Sequence, residues 1–351
     1  MVDIKSLLRD NIKNLKPYSS ARDEYTGEVG IFLDANENSY GSIPEGDFNR
    51  YPDPQQRKLK KRLSELKNVN VDNIFIGNGS DEAIDLIIRA FCEPGKDNIL
   101  IMPPTYGMYK VAADINDTDI IEIPLTGNFE IATESVISAI DERTKIIFIC
   151  SPNNPTGNLL NKESIKEILN SFNGLVVIDE AYIDFAKEPS WIDQLHVFNN
   201  LIVLQTFSKA WGLANIRVGM AFAREEVIDV LNKIKYPYNV NGVSQSLILE
   251  AMESESGKNK LVDLLVSGRS RLAENLISLN FIDKVFPSDA NFLLAKVLNA
   301  TIVYEYLLAE KIIVRNRSNM IHCKECLRFT VGTEEENKKL IEALKRYGEE
   351  K

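Results

Sequence analysis

The chain has 351 residues, of which 41 are basic and 51 acidic, for a formal net charge of −10. That length predicts two domains, or one large domain with a lobe, and a hydrophobic content of 44% supports a substantial core. The acidic balance excludes the electrostatic footprint of a nucleic-acid binder, although a local arginine cluster can still hold a small anion.

Met1–Asp10 has no signal-peptide core, so a cytoplasmic protein is expected. No apolar run anywhere approaches the roughly 18–20 residues of a membrane span. Residues 1–30 read as an amphipathic start and a polar arm, and residues 55–69 as a basic helix. Short apolar runs then alternate with helical patterns. Candidate strands are 73–77, 98–102, 119–124, 145–150, 175–179, 201–205 and 217–223; candidate helices include 81–91, 134–140 and 162–172. Runs this apolar need burial on both faces, as in a mostly parallel sheet covered by helices, which predicts a three-layer α/β/α domain.

After Tyr236-Pro237-Tyr238-Asn239 the pattern changes to α+β. A long helix is predicted over 243–280, interrupted near 254–258. Strand-like 291–297, a helix at 301–310, strand-like 312–315 and 327–331, and a last helix from Glu334 follow. The expected division is an N-terminal arm or part of the small domain at 1–45, a large domain at 46–245 and a small domain at 246–351.

Four cysteines are too few for a disulfide framework. Cys323 and Cys326 form a C-x-x-C beside His322, but a zinc site needs further ligands, and the only other histidine is the distant His196. No metal is expected, and Walker A and H-E-x-x-H motifs are absent.

The chemistry concentrates in a few segments. Lys209 sits in Gln205-Thr206-Phe207-Ser208-Lys209-Ala210-Trp211-Gly212-Leu213, with Arg217 eight positions on. A partly desolvated lysine near cations has a lowered pKa and can form a Schiff base. A phosphate dianion wants both a hydroxyl and a guanidinium fork, which Ser208 and Arg217 offer. Asp179 ends the apolar run Leu175–Ile178, and Tyr182 follows it by three residues. Asn154 lies in Ser151-Pro152-Asn153-Asn154-Pro155-Thr156-Gly157, where a turn is also expected. Gly77-Asn78-Gly79-Ser80-Asp81-Glu82 follows one strand and opens a helix whose free N–H groups attract phosphate. It lacks the third glycine of the dinucleotide fingerprint, which argues against an NAD dehydrogenase. Tyr106, in Pro103-Pro104-Thr105-Tyr106-Gly107-Met108-Tyr109, is a flat aromatic suited to stacking on a ring. Arg328, in Leu327-Arg328-Phe329-Thr330-Val331-Gly332, needs an anionic partner or solvent, and Arg315 lies in Ile312-Ile313-Val314-Arg315-Asn316.

The order and spacing of these motifs resemble the fold-type I, pyridoxal phosphate (PLP)-dependent aminotransferases, over about residues 15 to 345. The resemblance implies the aspartate aminotransferase-like fold: a large α/β/α domain on a mostly parallel seven-stranded sheet, plus a smaller α+β domain. It implies PLP carried by Lys209, with Asp179 paired to the pyridine nitrogen and Tyr182 and Asn154 on the ring oxygen. Tyr106 would stack on the ring, and Ser80, Asp81, Glu82, Ser208 and Arg217 would hold the phosphate. Tyr51, in Arg50-Tyr51-Pro52, matches a tyrosine that reaches the neighbouring subunit's cofactor phosphate, so a homodimer with shared active sites is implied. Tyr18, Asn36, Arg315 and Arg328 would meet substrate. Within the family the motifs look most like the branch acting on histidinol phosphate. That implies exchange between L-histidinol phosphate and 2-oxoglutarate, giving 3-(imidazol-4-yl)-2-oxopropyl phosphate and glutamate, in histidine biosynthesis. Aromatic amino acid transamination and decarboxylation of threonine phosphate share the scaffold. A PLP-binding regulator would need a DNA-binding module for which the chain has no spare length.

Overall fold

A computed structural model gives the fold and describes residues 2–18 and 30–349. The main sheet has seven strands: β1 (Ile74–Gly77), β2 (Asn98–Ile101), β3 (Asp119–Glu122), β4 (Thr144–Cys150), β5 (Leu175–Asp179), β6 (Leu201–Thr206) and β7 (Gly219–Phe222). Their order across the sheet is β1-β7-β6-β5-β4-β2-β3. The β2–β3, β2–β4, β4–β5 and β5–β6 pairs are parallel, whereas β7 runs antiparallel to both of its neighbours. A mostly parallel seven-stranded sheet is thus present where the apolar runs predict one.

Alternation of side chains explains why those runs are apolar throughout. Ile147 and Ile149 enter the core on one face of the sheet, while Ile146, Phe148 and Cys150 enter the core on the other. Val176 and Ile178 divide from Leu175 and Val177 in the same way. Every strand of this sheet except the edge strand β3, whose ends Asp119 and Glu122 are exposed, is covered twice and carries no polar face. Helices Ser80–Phe91, Met108–Ile115 and Glu225–Ile234 supply residues to the second core, as do Ile4 and Ile12 from the N-terminal turns. Helices Arg57–Lys67 and Lys162–Ser171 supply the first.

The C-terminal part forms a second sheet from β8 (Ile282–Val285), β9 (Phe292–Val297), β10 (Arg315–Asn316) and β11 (Cys326–Thr330), in the antiparallel order β10-β11-β9-β8. Its core gathers side chains from helices Glu255–Ile277, Ala300–Ala309 and Glu334–Glu349. Two expectations need adjusting. The long helix over 243–280 is two helices, Gly242–Met252 and Glu255–Ile277, parted at Glu253-Ser254. The strand expected at 312–315 begins only at Arg315, because Lys311 sits in the left-handed region at φ 61° and Ile312 N–H still bonds back to Leu307 C=O.

Contacts between the two sheets' surroundings fix where the second one meets the first. Asp289 N–H donates to Gly157 C=O at 2.7 Å, Leu159 N–H to Asp289 Oδ2 at 3.1 Å, and Lys258 pairs with Asp184 at 2.8 Å. Those contacts bring β11 against the loops that leave β4 and β5. Among the described residues, no helix is long and apolar enough to cross a membrane.

Candidate active site

The carboxyl ends of β1, β2, β4, β5 and β6 point to one rim of the main sheet, where open α/β sheets hold ligands. A cavity of about 180 Å³ opens there. It is lined by Ser80, Asp81, Tyr106, Asn154, Asp179, Tyr182, Ser208, Lys209 and Arg217, together with Cys150, Ala181, Thr206 and Ala214. Residues spread over 138 positions of sequence, from Ser80 to Arg217, therefore meet because each follows or ends a strand.

Local backbone builds one end of the cavity. Gly79 takes φ +77°, which lets the chain turn from β1 into helix Ser80–Phe91. A Cβ at Gly219 would lie 2.2 Å from Ser80 N, so only glycine lets β7 approach that helix start. The first-turn N–H groups of the helix receive no side-chain cap from Gly79. Beside them, Arg217 Nη1 lies 3.5 Å from Ser208 Oγ, and Arg217 Nη2 lies 3.5 Å from Asp81 Oδ2. A guanidinium, hydroxyls and free N–H groups form an anion site. The Asp81 carboxylate is already engaged, accepting from Tyr106 Oη at 3.1 Å, so Asp81 can offer an anion only its backbone.

The deeper wall carries the acid. Asp179 is 3% exposed. Its Oδ2 accepts from Tyr109 Oη at 2.7 Å and its Oδ1 from Ala181 N–H at 3.0 Å. Burial raises its pKa, and the Tyr109 and Ala181 donors and the Lys209 charge oppose that rise. Burial and then the Arg328 guanidinium hold the Lys209 amine below its ordinary value, against Asp179 and Asp81. Lys209 Nζ lies 5.5 Å from the centre of the Tyr182 ring. Burial pushes the Tyr182 phenol up, and Asn154 Nδ2 lies 3.5 Å from its oxygen. Asn154 Oδ1 accepts from Arg328 Nη1 at 2.5 Å, which brings the second sheet to the cavity. Burial and the neighbouring Arg317 lower the Arg328 pKa to about 10.

Other motif residues lie outside this cavity. Glu82 turns away, accepting from Asn78 N–H and from Asn239 Nδ2. Asn36 and Tyr51 line a separate open depression of about 920 Å³ with Arg50, Asn241, Gly242, Val243, Ser246 and Leu247. Glu37 ties the two N-terminal motifs together, accepting from Arg50 Nη1 and from Tyr51 N–H, both at 2.7 Å. The Tyr51 ring stacks on Tyr238 at 4.4 Å. Tyr18 is exposed. Arg315 is exposed on β10, directly opposite Arg328. Among the described residues, no group of three or more His, Cys, Asp or Glu could hold a metal ion.

Two residues had no role in the sequence. Tyr109 is fully buried, stacked on Phe148 at 4.7 Å, and bonded to Asp179. The signal available was its place three positions after Tyr106, one helical turn on. Arg317 lies beside Arg328, and only its spacing of two from Arg315 hinted at a shared strand face.

A family model described as aminotransferase class I and II matches residues 32–344. The chain belongs to this family. The aminotransferase is 56% identical over 344 residues to the histidinol-phosphate aminotransferase of Cytophaga hutchinsonii, covering 98% of this chain and 99% of that one. The solved histidinol-phosphate aminotransferase of Clostridium acetobutylicum matches with a TM-score of 0.80 at 28% identity, over 87% of this chain and 92% of that one. The Sinorhizobium meliloti protein of the same name, solved in complex with pyridoxal 5′-phosphate, shares the fold at a TM-score of 0.79 and 20% identity, over 90% of each chain. PLP is the cofactor of this aminotransferase, and the cavity fits it. An uncapped helix start with Arg217 and Ser208 suits a phosphate, a buried carboxylate suits a protonated ring nitrogen, and Lys209 feels both Asp179 and Arg217.

Proposed function

We propose that the chain interconverts L-histidinol phosphate and 2-oxoglutarate with 3-(imidazol-4-yl)-2-oxopropyl phosphate and L-glutamate, a step of histidine biosynthesis. The observation that carries the chemistry is Lys209 sharing one cavity with buried Asp179 and with Arg217. The substrates rest on relatives of the same name that match nearly end to end.

When bound, PLP supplies a carbonyl carrier for the amino group and an electron sink for the carbanion. Ser80, Ser208, Arg217 and the N–H groups around Asp81 would hold its phosphate. Glu82 would act from behind, fixing the Asn78 turn. Asp179 would hold the ring nitrogen, Tyr182 and Asn154 the ring oxygen, and Tyr106 would stack on the ring. Lys209, biased towards the neutral amine by burial and Arg328, would carry the proton at Nζ, off the α-carbon of the amino donor in one half-reaction and onto the α-carbon of the oxo acceptor in the other. Arg328 would meet the acidic group of both substrates, with Arg315, Tyr18 and Asn36, which lie outside this chain's Lys209 cavity, contributing further substrate contacts.

The same reading makes the enzyme a cytoplasmic homodimer with shared sites. Support comes from a run of exposed apolar side chains, Ile31, Leu33, Tyr40 and Ile43, each at least 82% exposed, on a segment that one chain leaves uncovered. The domain division at 45/46 and 245/246 belongs to this reading too.

The deciding assay compares histidinol phosphate with tyrosine and phenylalanine as amino donors to 2-oxoglutarate. Turnover of histidinol phosphate is expected, with borohydride fixing the cofactor to Lys209. Activity confined to the aromatic donors would reject the substrate, and a label on another lysine would reject the site.

A further inference from the structure

β10 and β11 carry Arg315 and Arg328, and Arg317 directly follows β10. The register sets Arg315 directly opposite Arg328, and Arg317 N–H continues the ladder by donating to Cys326 C=O at 2.9 Å. Arg317 is two residues beyond Arg315, so the alternation of β10, carried one residue past its end, sets the two on the same side. Arg317 Nε and Arg328 Nε are both buried without a hydrogen-bond partner. Among the described residues, the groups that act on Arg317 are Arg315, Cys323 and Tyr182, and those on Arg328 are Arg317, Tyr182 and Arg315, with no carboxylate in either set.

Packing guanidinium groups together without an acid is costly unless an anion arrives. Arg328 reaches the cavity wall, donating to Asn154 Oδ1 at 2.5 Å, and the Arg317 charge acts on Tyr182 of the same wall. A carboxylate is satisfied by one guanidinium fork. A phosphate monoester carries nearly twice the charge and a third oxygen, so it profits from a second fork.

We propose that Arg317 is a specificity-determining contact for the phosphate monoester of the amino substrate, working beside Arg328 and adding little for a carboxylate substrate. This rests on the histidinol-phosphate reading above. Among the described residues Arg317 Nε has no acceptor and its guanidinium no counter-charge, which a residue committed only to holding the hairpin would not show.

The test measures kcat/KM of the holoenzyme for histidinol phosphate, L-histidinol and glutamate in wild type, R317M and R317K. A charge-assisted contact corresponds to roughly a 10- to 100-fold loss on the phosphorylated donor in R317M. Histidinol and glutamate should stay within about 3-fold, and R317K should recover part of the loss through its charge. Inorganic phosphate, titrated as a competitor of histidinol phosphate, should inhibit R317M less than wild type. Equal losses on all three donors would make Arg317 a structural residue, and no loss would remove it from the site; either result overturns the assignment. If R317M is insoluble, R317K decides alone, and a loss that is uniform or absent overturns it. Wild-type enzyme inert towards histidinol phosphate would instead overturn the functional reading itself, and this assignment with it.

Discussion

Tyr109 Oη donates to Asp179 Oδ2 at 2.7 Å, across 70 residues of sequence and wholly inside the protein. The bond favours the charged form of a desolvated carboxyl and so opposes burial, which drives Asp179 towards its neutral form. An ionised Asp179 is what a protonated ring nitrogen requires. Tyr109→Phe removes only the hydroxyl and keeps the stack on Phe148. A hydrogen bond to a charged group contributes about 1.5–3 kcal/mol, so kcat is expected to fall on the order of 10-fold or more. Losing the donor raises the Asp179 pKa further, so the acidic limb of the kcat profile should move to higher pH. A profile superimposable on wild type would mean that Tyr109 does not tune Asp179.

Arg217 supports a second prediction. It holds a left-handed backbone at φ 57° and faces Ser208 and Asp81 with a half-exposed guanidinium. Few packing contacts depend on such a side chain, so Arg217→Ala should leave thermal unfolding of the apo-enzyme nearly unchanged. PLP affinity should fall by roughly 10-fold or more, from the loss of charge-assisted bonds to a dianion. Titration of apo-enzyme with PLP measures it, and an unchanged affinity would place the phosphate elsewhere.

Glu180 follows Asp179 but turns to the other side, accepting from Trp191 N–H at 2.7 Å and Gln205 Nε2 at 2.9 Å. Burial raises its pKa from 4.5 to about 7 despite those donors. The native state then holds a proton that the unfolded chain releases between those two values. Stability from this group is therefore full below about 4.5 and is lost as pH rises through about 7. The size is roughly 3 kcal/mol. Denaturant titrations should show a flatter decline between these pH values for Glu180→Gln than for wild type. Parallel curves would show that Glu180 is ionised throughout.

The sheet was legible because doubly covered strands such as Leu175–Asp179 must be apolar at every position, and the chain has few other reasons for such runs. The cavity was legible because Ser80, Asn154, Asp179 and Ser208 each sit at or just beyond a strand end, inside a motif only a few residues long. What was hidden is non-local. The Tyr109–Asp179 bond and the approach of Gly219 to Ser80 depend on strand order, which no window of sequence contains. Helix Glu225–Ile234 passed unread although its apolar face feeds the second core. The break at Glu253-Ser254 was visible as polar interruptions, but not as two helices.

The remaining prediction concerns subunits. Tyr51 lies outside the Lys209 cavity, in an open depression lined by Asn36, Arg50 and the start of helix Gly242–Met252. A residue expected to reach a cofactor phosphate, yet facing outward from its own chain, fits a site completed by a second copy. Lys209→Ala subunits lack the proton carrier, and Tyr51→Phe subunits lack one hydroxyl on the phosphate. In a mixed dimer with shared sites, one site carries both lesions and the other carries neither. Tyr51→Phe alone should cost about 1 kcal/mol of binding, or roughly 5-fold in PLP affinity. At limiting PLP, the isolated heterodimer should therefore show half the wild-type activity and wild-type cofactor affinity in its active site. If each chain completes its own site, the only competent site in the mixed dimer keeps the weakened affinity of the Tyr51→Phe parent, and Tyr51 does not cross.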